Sequence, residues 1–404
     1  MKRILIVASM NVVFTHSYAI SFKERGFNVQ VLDVGDSIIN SHFLESRGVN
    51  VTRWSNSPFS IDKVSLSQII KKIFKRLFVL LALDRSNTVL MLIDKFEKFL
   101  SEKSKLPEHI SIKLINEPND YVFYLWSTTV RRYKVLIDDF FSHEQINQSP
   151  KSILAINTYP VRDSYSFDCP PAMCDQDKKY FKGFDLLLFP SRSMVGLFER
   201  MGLACSKHLI HEDLLHPNYL VSSNDEACIN KKKKRILFLG NTNFSERTID
   251  NVLPYLLKLA ESGIEVCLQR SSNSSQLHEN FNYFTPLSYE AFLEGELANF
   301  ISGFDGVFMG YNDMRNARSR SSFPTRFALA LIGLKPIFLD GQDFDGLFEE
   351  FSGTNLLKKY SSIDDLILKI KSLSSSPSEF SREEYSQRFH HHFDQLFISM
   401  GEEI

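Results

Sequence analysis

A short apolar run opened by a basic residue occurs twice in this chain, and that recurrence constrains the fold more than any other feature. Arg3-Ile4-Leu5-Ile6-Val7-Ala8 begins the chain, and Arg235-Ile236-Leu237-Phe238-Leu239-Gly240 repeats the pattern past its midpoint. Continuous apolar runs of this length suit strands buried on both faces, as in parallel sheets covered by helices. After the first run, the spacing of Tyr18, Ala19 and Phe22 predicts a helix stopped by Gly26. Asn28 to Val34 then predicts a second strand, and Val49 to Trp54 a third. After the second run, a helix from about Ser245 to Ser262 is stopped by Gly263, and Ile264 to Leu268 predicts the next strand. Strand, helix, strand in this order implies a parallel, doubly wound sheet. Two such starts in 404 residues predict two α/β halves, since single cores rarely grow past about 250–300 residues.

Between the two starts, residues 120–127, 134–138 and 152–157 read as strands, and Phe184 to Ser191 as a further one. A helix through Met194, Leu197, Phe198 and Met201 ends at Gly202, and residues 205–216 hold a short strand and a turn. Residues 222–234 are polar and end in a lysine run, which marks a linker. The expected division is therefore 1–221, a linker over 222–234, a second half over 235–376 and a terminal helix over 377–404. Phe380, Tyr385, Phe389, Phe393, Leu396 and Phe397 give that last helix an apolar face. His390, His391 and His392 lie within it on different faces, so they cannot share one metal.

Charge and cysteine usage exclude several classes. The net charge of −1 supplies no basic field for nucleic acid, so no nucleic-acid partner is expected. Five scattered cysteines argue for a reducing compartment rather than a disulfide framework. The pair Cys169 and Cys174 lacks a second Cys/His pair at zinc spacing, and no D-x-D follows a suitable strand, so no metal is expected. The N-terminal run reads as a strand rather than a signal peptide, and no apolar run reaches the roughly 18 residues of a span, so the expected location is cytoplasmic. Residues 63–83 carry Lys71, Lys72, Lys75 and Arg76 on one side of a helix whose remainder is apolar. Such a helix can lie on an anionic membrane surface or pack on its own sheet. The loop after the first strand, Ser9-Met10-Asn11-Val12-Val13, lacks the dinucleotide-binding glycines, which excludes an NAD or FAD site there.

The stretch Gly306 to Gly341 carries the most chemistry. Its reading is strand, a loop bearing Arg315, Arg318 and Arg320, then Phe323-Pro324-Thr325-Arg326, a helix to Ile332 closed by Gly333, and a strand after Lys335-Pro336. Unpaired N–H groups at a helix start, set among arginines, suit a phosphate. Leu237-Phe238-Leu239-Gly240-Asn241 with Arg247 resembles the glycine loop that opens the nucleotide domain of GT-B glycosyltransferases. Phe304-Asp305-Gly306-Val307-Phe308 and the P-x-R … K-P pattern of Pro324, Arg326, Lys335 and Pro336 resemble later parts of that family's donor domain.

The resemblance implies two Rossmann-like doubly wound domains facing a cleft, with the C-terminal helix returning to the N-terminal domain. It implies transfer of a sugar from a nucleotide-sugar co-substrate to a glycan or lipid-linked acceptor, with no other cofactor. Donor-binding candidates are then Gly240, Asn241, Arg247, Arg320, Pro324, Thr325, Arg326 and Lys335. Many retaining members carry glutamates where Ser321 and Leu329 stand, so an inverting, metal-independent reaction is expected. The pattern is also similar to that of inverting enzymes of exopolysaccharide assembly, of the xanthan glucuronosyltransferase type. Tyr159-Pro160-Val161-Arg162-Asp163 matches the segment that holds their aspartate. An inverting reaction needs one base. The candidates are Asp163, His16 and the Asp138-Asp139 region with His143. A sugar-nucleotide epimerase of the same fold, and a non-catalytic glycan- or partner-binding member, are the alternatives.

Overall fold

The computed structural model describes residues 1–35, 41–54, 110, 119–125, 128–143, 149–159, 177–203, 207–220, 233–240, 252–270, 277–310, 321–341, 344–373 and 380–402. The basic amphipathic segment 63–83, most of the 222–234 linker, and Asp163, Asn241, Arg247 and Arg320 lie outside the described residues.

The first half forms a seven-stranded sheet from β1 (Arg3–Ala8), β2 (Asn28–Asp33), β3 (Asn50–Arg53), β4 (Tyr121–Leu125), β5 (Lys151–Ala155), β6 (Leu186–Phe189) and β7 (His208–Ile210). The second forms a six-stranded sheet from β8 (Arg235–Phe238), β9 (Glu265–Gln269), β10 (Phe281–Phe284), β11 (Gly306–Met309), β12 (Ile337–Asp340) and β13 (Leu357–Tyr360). The orders are β3-β2-β1-β4-β5-β6-β7 and β10-β9-β8-β11-β12-β13, every pairing parallel. In both sheets the winding reverses beside the first strand, between β1 and β4 and between β8 and β11. A crevice opens outside the carboxyl ends of the strands at such a reversal.

Alternation along the strands builds a core on both faces. Ile4, Ile6 and Ala8 enter one cluster while Leu5 and Val7 enter another, and Leu237 parts from Ile236 and Phe238 in the same way. One of these clusters runs through both halves, and Tyr219 meets Phe292 across them with ring centroids 5.2 Å apart.

The helices that position the site are α1 (Val13–Glu24), α2 (His42–Glu45), α3 (Thr128–His143), α4 (Arg192–Arg200), α5 (Leu253–Glu261), α6 (Tyr289–Leu293), α7 (Glu296–Ser302), α8 (Thr325–Leu331), α9 (Asp345–Glu350), α10 (Ile363–Lys371) and α11 (Arg382–Met400). A capping box between Ser381 and Glu384 starts α11, and Gly401, at φ 86°, ends it. Its apolar face lies on the first half. Phe397 packs 5.7 Å from Phe22, Phe393 lies 5.5 Å from Tyr18, and Arg25 pairs with Asp394.

Two local expectations are corrected. Residues 134–138 belong to α3 rather than a strand, because Tyr133, Ile137 and Phe141 are buried at four-residue spacing. The left-handed position after α8 is Leu334, at φ 52°, not Gly333. Gly333 is needed for space instead, since a Cβ there would meet Ile301 Cγ2 at 2.2 Å.

Candidate functional site

The carboxyl ends of β8 and β11 are bare backbone, for a reason visible in the sequence spacing. Each strand ends Phe-x-Gly. A Cβ on Gly240 would meet the tip of the Phe238 ring at 1.9 Å, and one on Gly310 would meet the Phe308 ring at 2.5 Å. Both rings fold under the glycine two residues on, so the crevice at the reversal point has no side chain from either position. Backbone free of Cβ allows close approach of a ligand. The start of α8 stands at the same edge of the sheet. Pro324 is extended there, Thr325 is exposed and Arg326 is half-buried.

The carboxyl edge of the first sheet faces this one across a seam. Ser191, which caps α4 by accepting from Met194 N–H, also donates to the carbonyl of Ser321 at 2.8 Å. Tyr159 N–H donates to Ser322 Oγ at 3.2 Å. Tyr289 and His16 meet through Oη and Nδ1 at 3.0 Å.

The loop between β1 and α1 delivers His16 to this seam. Asp33, at the end of β2, accepts from Met10 N–H at 3.0 Å and from Gly35 N–H at 2.9 Å. Thr15 Oγ1 donates to the Ser9 carbonyl at 2.8 Å, which fixes the first turn of α1 against the loop. His16 is fully buried, and burial, with the Arg47 guanidinium nearby, pushes its pKa down to about 3. The imidazole is therefore neutral at physiological pH. Its Nε2 has no hydrogen-bond partner among the described residues.

The site residues expected from sequence divide by edge. Gly240, Pro324, Thr325 and Arg326 stand on one side of the seam and His16 on the other. Asp138 and Lys335 do not join them. Asp138 lies ten residues into α3, about 15 Å from the start of that helix. It pairs with Lys134 and feels the charge of Asp185, which bonds Ser152 N–H at the amino edge of the sheet. Burial raises its pKa, partly offset by Lys134. Lys335 precedes β12, beside Pro336, whose carbonyl accepts from Val307 N–H at the amino edge of the second sheet. In both cases a helix that begins at the carboxyl edge of its sheet carries the chain back to the far edge.

A second buried polar group escaped the sequence reading. Residues 211–216 run without regular structure from β7 back towards α1 and are all buried. Burial pushes the pKa of His211 down to about 3. Glu212 is bound by Arg388 and lies 3.4 Å from His392. Asp213 accepts from Asn157 Nδ2 at 2.6 Å, while its Oδ2 has no partner among the described residues. The signal was present: His211-Glu212-Asp213 interrupts an apolar run, and ionisable groups in such a run need buried partners. Among the described residues, no group of three His, Cys, Asp or Glu side chains could hold a metal ion.

No family model and no curated protein sequence matches the chain. Solved structures do. HepE of Anabaena, in complex with UDP, superposes with a TM-score of 0.60 at 11% identity, over 99% of this chain and 100% of that one. Sucrose-phosphate synthase from Thermosynechococcus elongatus gives 0.58 at 10% identity, over 99% and 97%. A glycosyltransferase from Rickettsia africae gives 0.55 at 11% identity, over 99% and 96%. At such identities the likeness is one of fold. The class that the two facing sheets define is the GT-B fold, as the sequence resemblance implied.

Proposed function

We propose that this chain is a glycosyltransferase that moves a sugar from a nucleotide-sugar donor to a hydroxyl of a glycan or lipid-linked acceptor, with inversion and without a metal. The observation that carries the reading is the bare crevice between β8 and β11, at Gly240 and Gly310, facing a buried imidazole across the seam. The solved structures of the same fold support it, one of them holding UDP.

In this reading the donor diphosphate lies over the glycine-ended strands. Arg326, with Arg320 and Arg247, offsets the charge that develops as the bond from the anomeric carbon to the phosphate oxygen breaks. The acceptor oxygen forms its new bond to that carbon from the opposite face. Its proton passes to one base of the first half. Of the candidates, His16 is at the seam, Asp163 is outside the described residues, and Asp138 is at the far edge.

Arg326→Ala tests the donor assignment. A charge-assisted hydrogen bond contributes about 1.5–3 kcal/mol, so UDP and related diphosphates should bind roughly 10- to 150-fold more weakly by calorimetry. Unchanged affinity sinks the assignment, and turnover of a nucleotide sugar with no acceptor present would point to an epimerase instead.

The proposal places the enzyme in the cytoplasm, at an anionic membrane face through residues 63–83. The support is the clustering of Lys71, Lys72, Lys75 and Arg76. No described helix is long and apolar enough to cross a membrane. The protein should co-sediment with phosphatidylserine vesicles, and changing these four residues to glutamine should abolish it. Failure of the native protein to sediment ends the idea.

A further inference from the structure

We propose that Tyr289 is a positioning residue: through its hydroxyl the nucleotide-binding half orients the His16 imidazole, so that His16 is aligned as a base only while the two halves are closed on each other. The inference rests on the transferase reading with His16 as the base.

The two side chains come from different halves, and helix starts fix both. His16 sits in the first turn of α1, at the carboxyl edge of the first sheet. Tyr289 is the first residue of α6, whose cap Ser288 accepts from Ala291 N–H at 3.1 Å. Their rings lie 5.3 Å apart, and Phe43 and Phe292 enclose the pair at 5.9 Å from His16 and 5.8 Å from Tyr289. The Oη–Nδ1 bond of 3.0 Å thus joins a fully buried imidazole to a half-buried tyrosine. Among the described residues, none of the first half bonds His16 Nδ1.

The bond decides what the imidazole can do. A neutral imidazole carries one N–H, and the partner of one nitrogen sets which nitrogen holds it. With Nδ1–H donating to Tyr289 Oη, the lone pair is on Nε2 and can accept a proton. With the hydroxyl donating to Nδ1, Nε2 carries the hydrogen and the ring is no base. The unpartnered buried Nε2 favours the first arrangement, because buried N–H groups without acceptors are rarer than under-satisfied acceptors. Once Nε2 takes the acceptor proton, Nδ1–H stays bonded to Oη and the imidazolium keeps its partner. A second buried polar atom on the same aromatic cluster, Tyr219 Oη, also has no partner among the described residues.

The test uses the full chain with ¹⁵N-labelled histidine, the His16 signals being assigned by their loss in His16→Gln. The native protein should show the Nδ1–H tautomer at His16, and Tyr289→Phe, which keeps the ring and its packing, should show a mixture. Loss of base alignment should lower kcat by about 10-fold or more, within the range that general bases contribute, with donor KM nearly unchanged. Tyr289→Phe should add little to His16→Gln in the double variant. A native Nε2–H tautomer, an unchanged kcat in Tyr289→Phe, or additive losses would overturn the proposal. Full activity in His16→Gln would overturn it too, by removing the base. Absence of turnover on every nucleotide sugar overturns the transferase reading and this role with it, while the tautomer measurement still decides the bond itself, since it needs no substrate.

Discussion

Arg388→Ala is expected to destabilise the fold by about 3 kcal/mol, because it leaves a buried carboxylate without its cation. Arg388 stands on α11 and reaches into both halves. Its guanidinium donates to both carboxylate oxygens of Glu212, after β7, and to the Glu350 carbonyl at the end of α9. It also lies 4.4 Å over the Phe351 ring. The Glu212 side chain is 2% exposed and that of Arg388 is 25%, so the expected loss is at the lower end for a buried pair.

The pH dependence separates this from lost packing. Burial pushes the Glu212 carboxyl up, but hydrogen bonds and charge from His392 and Arg388 outweigh it and hold the carboxyl below its ordinary range. A depressed carboxyl contributes stability that is present above its unfolded pKa and lost as pH falls through the folded one. Without Arg388 the balance reverses: the carboxyl titrates higher, and the variant recovers as pH falls from 7 towards 4. Urea unfolding at several pH values should show the gap to the native protein narrowing on acidification. Adding Glu212→Gln should restore part of the loss. A pH-independent gap with no rescue would assign the effect to packing alone.

Asp213→Asn is expected to act in the opposite direction and stabilise the protein at neutral pH. Burial raises the Asp213 carboxyl well above the usual range, the Asn157 hydrogen bond opposes the rise, and the Glu212 charge adds to it. The sign follows from proton binding. Above the unfolded pKa the unfolded chain has lost this proton and the folded chain retains it, so stability falls as pH rises. The slope is up to about 1.4 kcal/mol per pH unit until the folded pKa is reached. Asparagine keeps the acceptor for Asn157 and has no proton to lose. The variant should match the native protein near pH 4 and exceed it by a widening margin up to pH 7. Thermal midpoints read across that range check it, and parallel curves would show that Asp213 is not held protonated.

Much of the fold was legible because the signals are local. Buried parallel strands announce themselves as apolar runs, as at Arg3–Ala8 and Arg235–Phe238. Helix ends announce themselves by glycines that take the left-handed conformation, as at Gly26, Gly202 and Gly263. Residues 134–138 taken alone resemble a strand, whereas the four-residue spacing that marks α3 emerges only over Tyr133 to Phe141. The candidate site was legible in part. Gly240, Arg326 and Lys335 are candidates through the family resemblance, and His16 and Asp138 through their places after strands. Gly240, Arg326 and His16 stand at the carboxyl edges of the two sheets, and Asp138 and Lys335 at the opposite edges.

What the sequence determined by itself is the order of elements, the reversal of winding that such an order produces, and the loops that fall at the carboxyl ends of the first strand in each half. These depend on contacts within a turn of helix or between neighbouring strands. Only the tertiary structure decided which loops meet. His16 and Tyr289 are 273 residues apart, and Arg388 and Glu212 are 176 apart. Their meeting depends on how the two sheets face each other and on where α11 returns. No hydrophobic period or turn residue records that, because the contacts that set it join surfaces built from residues far apart in the chain.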